Sequence, residues 1–294
     1  MPNRLNENSR LYGKLREEID LKMGGMRLKR DETTNQLENF LKFLKKTHKK
    51  GSNLREAIDA DFVADSRILR RIATSSYQNS STEFQAIRHR DVIFLCEKHD
   101  ENQNYADSTS DQFKNRMILD EKGFPFNPFK TEKTSVSNKK GVLKSILSDG
   151  NEEIKAIYTT NLDAIDENGN HVELKTSALT HKKWIQTQSH RHFVQAVLGD
   201  VAYIVYGRKV SRSEQKIDRV EKVWTSDIPK DPLVTWNPET CFETLFSVLQ
   251  KIRDELQFDE EAILVKVAEK GVELKPELAD LCSFMDLDFL RHFQ

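Results

Sequence analysis

The segments Ile157-Tyr-Thr-Thr-Asn-Leu-Asp-Ala-Ile165 and His171-Val-Glu-Leu-Lys-Thr176 decide the fold of this 294-residue chain. Both have the composition of β-strands, and the second alternates apolar and polar residues with a period of two. The residues between them, Asp166-Glu-Asn-Gly-Asn170, have the composition of a turn. The sequence therefore predicts a β-hairpin over residues 157–176.

This hairpin would bring three charged side chains to one place. Glu173 and Lys175 are two residues apart, so they share a face of their strand, and Asp163 lies on the strand before it. Two carboxylates offer the oxygen ligands that Mg²⁺ prefers, and a lysine can orient a water or offset developing negative charge. The set matches what metal-assisted phosphodiester cleavage requires, and it makes Asp163, Glu173 and Lys175 candidate catalytic residues.

The alternative is that these charges form the solvated face of an ordinary hairpin. Charged residues make up 32% of the chain, so short acidic-basic triplets arise often. The segment Val172-Glu-Leu-Lys175 recurs as Val272-Glu-Leu-Lys275, where Pro276 follows at once. We interpret this second copy as a solvated strand face, which makes it an internal control for the first.

The charge and cysteine content limit the partners and the compartment. Lys and Arg number 46 and Asp and Glu 47, so the net charge is −1, and nucleic-acid binding would need a local basic patch. An apolar run of about 18 residues is absent, which predicts no membrane partner. The start lacks the apolar core of a signal peptide. The cysteines Cys96, Cys241 and Cys282 are sparse, odd in number and without CxxC spacing. They favour a reducing, intracellular location, in the cytoplasm, the nucleus or both.

The remaining pattern predicts a single α/β (α+β) domain over residues 1–294, in which a mixed, mostly antiparallel sheet is flanked by helices. Residues 1–30 read as a frayed, flexible start. Helix 238–256 has Asn237 as its cap and proline at its first position. The other expected elements are helices at 35–50, 111–120 and 181–198, a helix-like segment at 274–290, and strands within 83–97, 154–165, 171–176, 201–206, 214–225, 262–269 and 271–275.

Several stretches together resemble the decapping exoribonuclease (DXO) family, whose core is the PD-(D/E)XK nuclease fold. The matching segments, which span about residues 60–256, are Asp65-Ser-Arg67, Val172-Glu-Leu-Lys-Thr-Ser177, Phe193-Val-Gln-Ala-Val-Leu-Gly199, Ile204-Val-Tyr-Gly-Arg208 and Trp236-Asn-Pro. Members of this family remove aberrant or non-canonical 5′ caps from RNA, and some degrade the RNA from 5′ to 3′. The resemblance implies a metal-dependent hydrolase of RNA 5′ ends or capped nucleotides, without readout of DNA sequence.

The resemblance also implies roles for individual residues. Asp163, Glu173 and the main-chain carbonyl of Leu174 would bind Mg²⁺ or Mn²⁺, and Lys175 would contact the scissile phosphate or its water. Gln195 would lie near the substrate phosphate, unless it is an ordinary exposed helix position. Arg67 would belong to the RNA-binding face, unless it is a surface ion pair.

Two family acids are replaced in this chain. The family's E-h-D motif reads Asn161-Leu162-Asp163, and its G-h-x-F-E helix reads Ser110-Asp-Gln-Phe-Lys114. An amide adds no negative charge, and an ammonium at position 114 opposes a cation if it points inward. Asp111, one helical turn earlier, is a candidate substitute. The departures imply weak metal binding and weakened activity. The alternative is a pseudoenzyme that binds RNA ends, a nucleotide or a protein partner.

Overall fold

A computed structural model describes residues 2–21, 37–97, 108–119, 122–125, 139–211, 213–279 and 284–293. Residues 22–30 of the start expected to be flexible, residues 35–36 of the helix predicted at 35–50, residue 120 of the helix predicted at 111–120, and Cys282 lie outside these ranges. In chain order, the strands are β1 (Arg4–Leu5), β2 (Gly13–Asp20), β3 (Phe62–Asp65), β4 (Thr82–His89), β5 (Val92–Glu97), β6 (Ile118–Leu119), β7 (Lys139–Ser148), β8 (Glu153–Leu162), β9 (Ala164–Ile165), β10 (His171–Ser177), β11 (Val201–Lys209), β12 (Lys216–Trp224), β13 (Ala262–Ala268) and β14 (Gly271–Glu277). The α-helices are α1 (Glu38–Thr47), α2 (Leu54–Ile58), α3 (Ser66–Ala73), α4 (Ser108–Met117), α5 (His181–Thr187), α6 (Ser189–Leu198), α7 (Pro238–Glu255) and α8 (Leu287–Leu290).

The chain divides into two compact units. The first contains Met1–Arg30, Gln103–Gly141 and Asn161–Thr235, and the second contains Asp31–Asn102, Val142–Thr160 and Trp236–Gln294. Each unit holds a seven-stranded sheet, whereas the sequence pattern suggested a single sheet. The assignment of residues 1–294 to one domain stays a prediction.

The sheet of the first unit has the strand order β2-β12-β11-β10-β9-β1-β6. Strands β10 and β11 are parallel, and α5 and α6 form the crossover between them, as a parallel connection requires. The start of the chain, expected to be frayed, contributes β1 to one side of this sheet and β2 to its opposite edge. The core of the unit lies among buried apolar residues of β10, β11, β12 and α4, including Leu174, Val205, Val220, Phe113 and Met117.

The hairpin predicted over residues 157–176 is shorter than expected. Strand β8 pairs with β3 in the sheet of the second unit, and the antiparallel partner of β10 is the two-residue β9. The chain leaves regular pairing at Asp163, whose carboxylate accepts the main-chain N–H of Leu174 at 2.9 Å. A side chain that takes a main-chain donor competes with the strand ladder, and this explains the break between β8 and β9.

The helix predicted over residues 181–198 is two helices with a break at Gln188. The hydroxyl of the buried Ser189 donates to the carbonyl oxygen of Ile185, one turn earlier. Side-chain bonds of this kind compete with the helical ladder and bend helices. The second helix, α6, keeps His190, Phe193 and Val194 buried and carries the candidate residue Gln195.

The sheet of the second unit has the order β14-β13-β4-β5-β3-β8-β7. The strands expected within residues 83–97 are the hairpin β4–β5, and the expected C-terminal hairpin is β13–β14. Helix α7 begins as predicted, since the Asn237 side chain accepts the main-chain N–H of Glu239 at 2.8 Å. The helix-like segment predicted at 274–290 is wrong for residues 274–277, which belong to β14. Further along the segment, Leu287–Leu290 form a single helical turn, α8.

The predicted fold class is confirmed, because helices flank two mixed sheets in which most of the assigned strand pairs are antiparallel. Among the helices of the described ranges, none has both the length and the apolar character that a membrane crossing needs.

Candidate active site

The structure brings four of the predicted site residues together within the first unit, and three of them, Glu173, Lys175 and Gln195, are joined by hydrogen bonds. Glu173 and Lys175 lie on β10, Gln195 lies on α6, and Asp163 lies between β8 and β9. The Lys175 ammonium donates to Glu173 Oε1 at 2.8 Å and to Gln195 Oε1 at 3.2 Å, and Gln195 Nε2 donates to Glu173 Oε1 at 2.8 Å. Gln195 is therefore not an ordinary exposed helix position.

Burial distinguishes this cluster from its repeat in the sequence. The Lys175 and Glu173 side chains are 17% and 7% exposed, whereas those of Lys275 and Glu273 are 62% and 53% exposed. Both pairs form an ion pair at nearly the same distance, 2.8 Å against 2.9 Å. The prediction that the second copy is a solvated strand face agrees with this exposure. The same four letters thus give a surface pair in one sheet and a desolvated cluster in the other.

Asp163 is buried, and both of its carboxylate oxygens accept hydrogen bonds. Oδ2 accepts the Leu174 main-chain N–H, and Oδ1 accepts the ammonium of Lys114 at 2.6 Å. Burial raises the pKa of Asp163, and the carboxylate of Glu173 adds to this rise, while Lys114 opposes it. The role of the Leu174 carbonyl as a metal ligand stays a prediction. In the structure, Leu174 contacts Asp163 through its main-chain N–H.

Lys114 points into the cluster, the orientation that opposes a metal ion. Burial lowers the pKa of Lys114, but Asp163 and Glu173 outweigh that effect and leave the pKa raised, so this side chain stays an ammonium. Asp111 makes the smallest of the contributions that raise it. The cluster consequently holds two carboxylates and two ammonium groups, and their charges cancel.

The predicted metal site therefore has ligand atoms that suit a divalent cation but a local charge that does not. Carboxylate oxygens are the ligands that Mg²⁺ and Mn²⁺ prefer. In the described part of the chain, however, His, Cys, Asp and Glu form no group of three or more that could hold a metal ion. Asp111 thus does not complete the set, and Asn161 is exposed at the end of β8. The donor atoms suit the cation, and the local charge does not while Lys114 stays on Asp163.

Arg67 lies in the second unit, at the start of α3. Asp65 caps this helix by accepting the Arg67 main-chain N–H at 3.0 Å, and the same carboxylate oxygen accepts Arg67 Nε at 2.9 Å. Burial lowers the pKa of Arg67, but Asp65 outweighs this and the pKa is raised. The ion pair that the sequence left open as an alternative is present. The contact of Arg67 with RNA stays a prediction.

Sequence reasoning missed the aromatic side chains beside Lys175. The register pairs Lys175 with Tyr206 and Ser177 with Arg208, so these residues share the face of the cluster. The Arg208 guanidinium lies 4.6 Å from the centre of the Tyr206 ring, and Trp184 packs edge-on against that ring. The sequence could have indicated Tyr206 and Arg208, because they are two residues apart on β11 and lie opposite Lys175 and Ser177 of the parallel strand β10. Trp184 and Tyr206 are both fully buried, so these rings support Arg208 from within the protein.

The fold is that of the PD-(D/E)XK nucleases: Asp163 precedes β10, β10 carries Glu173 and Lys175, a helix with Gln195 follows, and β11 then runs parallel to β10. The sequence model of the family described as RAI1-like PD-(D/E)XK nucleases matches residues 4–278. The chain belongs to this family, and the resemblance inferred from the motifs is confirmed. The match extends beyond residues 60–256 on both sides.

Individual relatives agree with this assignment. Decapping nuclease dom-3 of Caenorhabditis elegans is 23% identical over 94% of this chain and 75% of its own length. The crystal structure of Candida albicans Rai1 in complex with pU5 and Mn²⁺ superposes with a TM-score of 0.73 at 14% identity, over 98% of this chain and 88% of that one. Scheffersomyces stipitis Rai1 in complex with (3′-NADP)⁺ and calcium gives 0.71 at 14%, over 99% and 88%. At this identity the structural matches show the fold.

Proposed function

We propose that this protein is a decapping-type hydrolase of RNA 5′ ends, with metal-dependent activity weaker than that of a site with its full set of acids. The observation that carries the proposal is the intact hydrogen-bonded set of Glu173, Lys175 and Gln195 next to Asp163 in a desolvated cluster. Family membership and the dom-3 relative support the reaction class. The pU5 and (3′-NADP)⁺ complexes of the Rai1 relatives support an RNA 5′ end or a nucleotide as the ligand.

The roles follow from the positions of the side chains. Asp163 and Glu173 would hold one Mg²⁺ or Mn²⁺ ion, which supplies Lewis acidity when bound. Lys175 is held by Glu173 and Gln195, so its ammonium is fixed where it can orient a water molecule or a phosphate oxygen. The Mn²⁺ and calcium complexes of the Rai1 relatives support a divalent cation. An intracellular location and Arg67 as an RNA contact remain part of this proposal.

A second candidate is a family member that binds RNA ends, a nucleotide or a protein partner without cleaving RNA. One observation favours it: Lys114 already neutralises Asp163 at 2.6 Å, and no third acid joins the cluster among the residues that the structure describes. Each missing carboxylate weakens the attraction for a divalent ion. The two candidates share the ligand and differ in whether a metal can enter.

The test is hydrolysis of 5′-end-labelled RNAs that carry a monophosphate, a triphosphate, an unmethylated cap or a nucleotide-cofactor cap, in Mg²⁺ and in Mn²⁺. Glu173→Gln removes one ligand charge from the cluster, and Glu273→Gln makes the same change in the exposed copy. Product from the wild type and from Glu273→Gln, with none from Glu173→Gln, supports the enzyme. Product that is equal in all three proteins contradicts the assignment of the cluster. Binding of RNA without any product supports the second candidate.

A further inference from the structure

The Lys114 ammonium lies against Asp163, the carboxylate at which a metal ion would bind, and the packing of α4 sets its position. Phe113 and Met117, on one face of α4, are fully buried against the sheet that carries Glu173. Phe113 lies over Gly207, where an added Cβ would come within 2.7 Å of the phenylalanine ring. Glycine at position 207 thus permits the close approach of α4 that delivers Lys114 to Asp163.

The contacts of Asp163 show what a metal ion would have to replace. Oδ2 is bonded to the main-chain N–H of Leu174, which is fixed within β10. Oδ1 is bonded to the end of a flexible lysine side chain at 2.6 Å. A cation that approaches Oδ1 meets that ammonium, and the two positive groups exclude one another at such distances.

The charge balance leads to the same conclusion. Lys114 and Lys175 offset Asp163 and Glu173, so the cluster is neutral as it stands. Adding a divalent ion would leave a desolvated excess of two positive charges, which is costly in a buried site. If Lys114 withdraws from Asp163 when the ion arrives, that excess is smaller and the carboxylate exchanges one cation for another.

We propose that Lys114 is the resident cation of this site, and that a divalent ion binds to Asp163 and Glu173 only by displacing it. The proposal rests on the proposed function, since it concerns the same two carboxylates. It gives the site a stable, neutral form without metal and makes metal occupancy depend on the metal concentration. Lys114 acts through Asp163 and is a positioning residue.

The experiment measures Mn²⁺ binding without RNA, from the loss of the electron paramagnetic resonance signal of free Mn²⁺ as protein is added. Lys114→Gln removes the ammonium. Lys230→Gln is the matched control, because Lys230 forms an exposed ion pair with Asp227 at 3.0 Å. We expect Lys114→Gln to bind Mn²⁺ about tenfold more tightly than the wild type, the worth of one charge-assisted hydrogen bond, and Lys230→Gln to bind as the wild type does.

Two further variants keep the outcome decisive. Lys114→Met keeps an unbranched aliphatic side chain at this position of α4 and replaces Lys114→Gln if the latter does not fold. Lys114→Gln combined with Glu173→Gln should lose the gain in Mn²⁺ affinity, because the ion needs both carboxylates. Affinity in Lys114→Gln or Lys114→Met that equals or falls below the wild-type affinity overturns the proposal. If the wild type hydrolyses RNA but substitution of Lys114 brings no gain in Mn²⁺ affinity, this inference alone is refuted. If substitution of Lys114 raises the Mn²⁺ affinity but no RNA is hydrolysed, the proposed function alone is refuted.

Discussion

Breaking the ion pair between Lys114 and Asp163 should strongly destabilise the first unit in the absence of metal. Their side chains are 17% and 5% exposed, so neither charge is well solvated. Removing one member of a buried ion pair typically costs ~3–5 kcal/mol, because the other charge is left uncompensated. This range is large against an unfolding free energy of about 5–15 kcal/mol, and it is readily measured.

The two single substitutions should differ in size. Lys114→Met leaves Asp163 and Glu173 with one ammonium between them, so we expect the full cost of ~3 kcal/mol or more. Asp163→Asn leaves Lys114 attracted to Glu173, the second carboxylate that raises the pKa of Lys114. We therefore expect the smaller cost of ~2 kcal/mol for this variant. The double variant should lose about 3 kcal/mol, which gives a coupling of ~2 kcal/mol.

The cost of Lys114→Met should also depend on pH. Burial raises the pKa of Asp163 above its ordinary value of 3.8, so the folded state holds this proton more tightly than the unfolded state. Such a group lowers stability as pH rises from the unfolded pKa to the folded pKa. Loss of Lys114 removes an interaction that opposes the rise, so the folded pKa of Asp163 goes up further. The loss of stability should be smaller at about pH 5 than at about pH 8.

The assay is urea unfolding in EDTA, followed by tryptophan fluorescence in a Trp236→Phe background. The remaining tryptophans, Trp184 and Trp224, both lie in the first unit, so the signal reports that unit alone. Equal slopes against urea for all variants are required for the comparison of free energies. A coupling below about 0.5 kcal/mol, the range of exposed pairs, would refute the claim that this ion pair is a buried structural unit.

Three further results are expected from single substitutions. Gly207→Ala should lower the unfolding free energy of the first unit by about 1–3 kcal/mol, because the new methyl group overlaps the Phe113 ring, and tryptophan fluorescence in the Trp236→Phe background measures it. Burial and then Arg191 lower the pKa of His190 to about 4, so the folded wild type resists protonation of this side chain and loses stability as the pH falls from 6.5 to 4. His190→Gln should reduce this loss, and an unchanged acid midpoint of unfolding would contradict the expectation. Glu273→Gln should leave the urea midpoint unchanged, because its ion pair with Lys275 is solvated on β14, and a clear shift would show that this pair is structural.

Local pattern was sufficient for several strands and for the set of charged residues, but it missed β1, β2 and β3. Period-two alternation identified β10, and the Asn237-Pro238 pair identified the start of α7. The grouping of Asp163, Glu173 and Lys175 followed from the turn between two strands. Gln195 came from the family resemblance, because its distance along the chain from Glu173 hides the 2.8 Å contact.

Features that depend on packing could not be read from the chain. The break of the 154–165 strand at Asp163 arises from a side-chain contact with Leu174, which alternation does not encode. The sequence showed Lys114 in place of a glutamate, but its inward orientation depends on how Phe113 meets Gly207. Likewise the two copies of Val-Glu-Leu-Lys have the same sequence and differ in what covers them. The exposure of their side chains in the structure distinguishes the buried cluster from the surface ion pair.

Anomalous diffraction at the manganese edge, from crystals of the wild type soaked in Mn²⁺, would show both the metal ion and the position of the Lys114 side chain. We expect one anomalous peak in contact with Asp163 and Glu173, and a Lys114 side chain that has moved away from Asp163. A peak that coexists with an unchanged Lys114–Asp163 contact would contradict the exchange of cations. A peak elsewhere, in crystals of a protein that hydrolyses RNA 5′ ends in Mn²⁺, would contradict the assignment of the active site to this cluster.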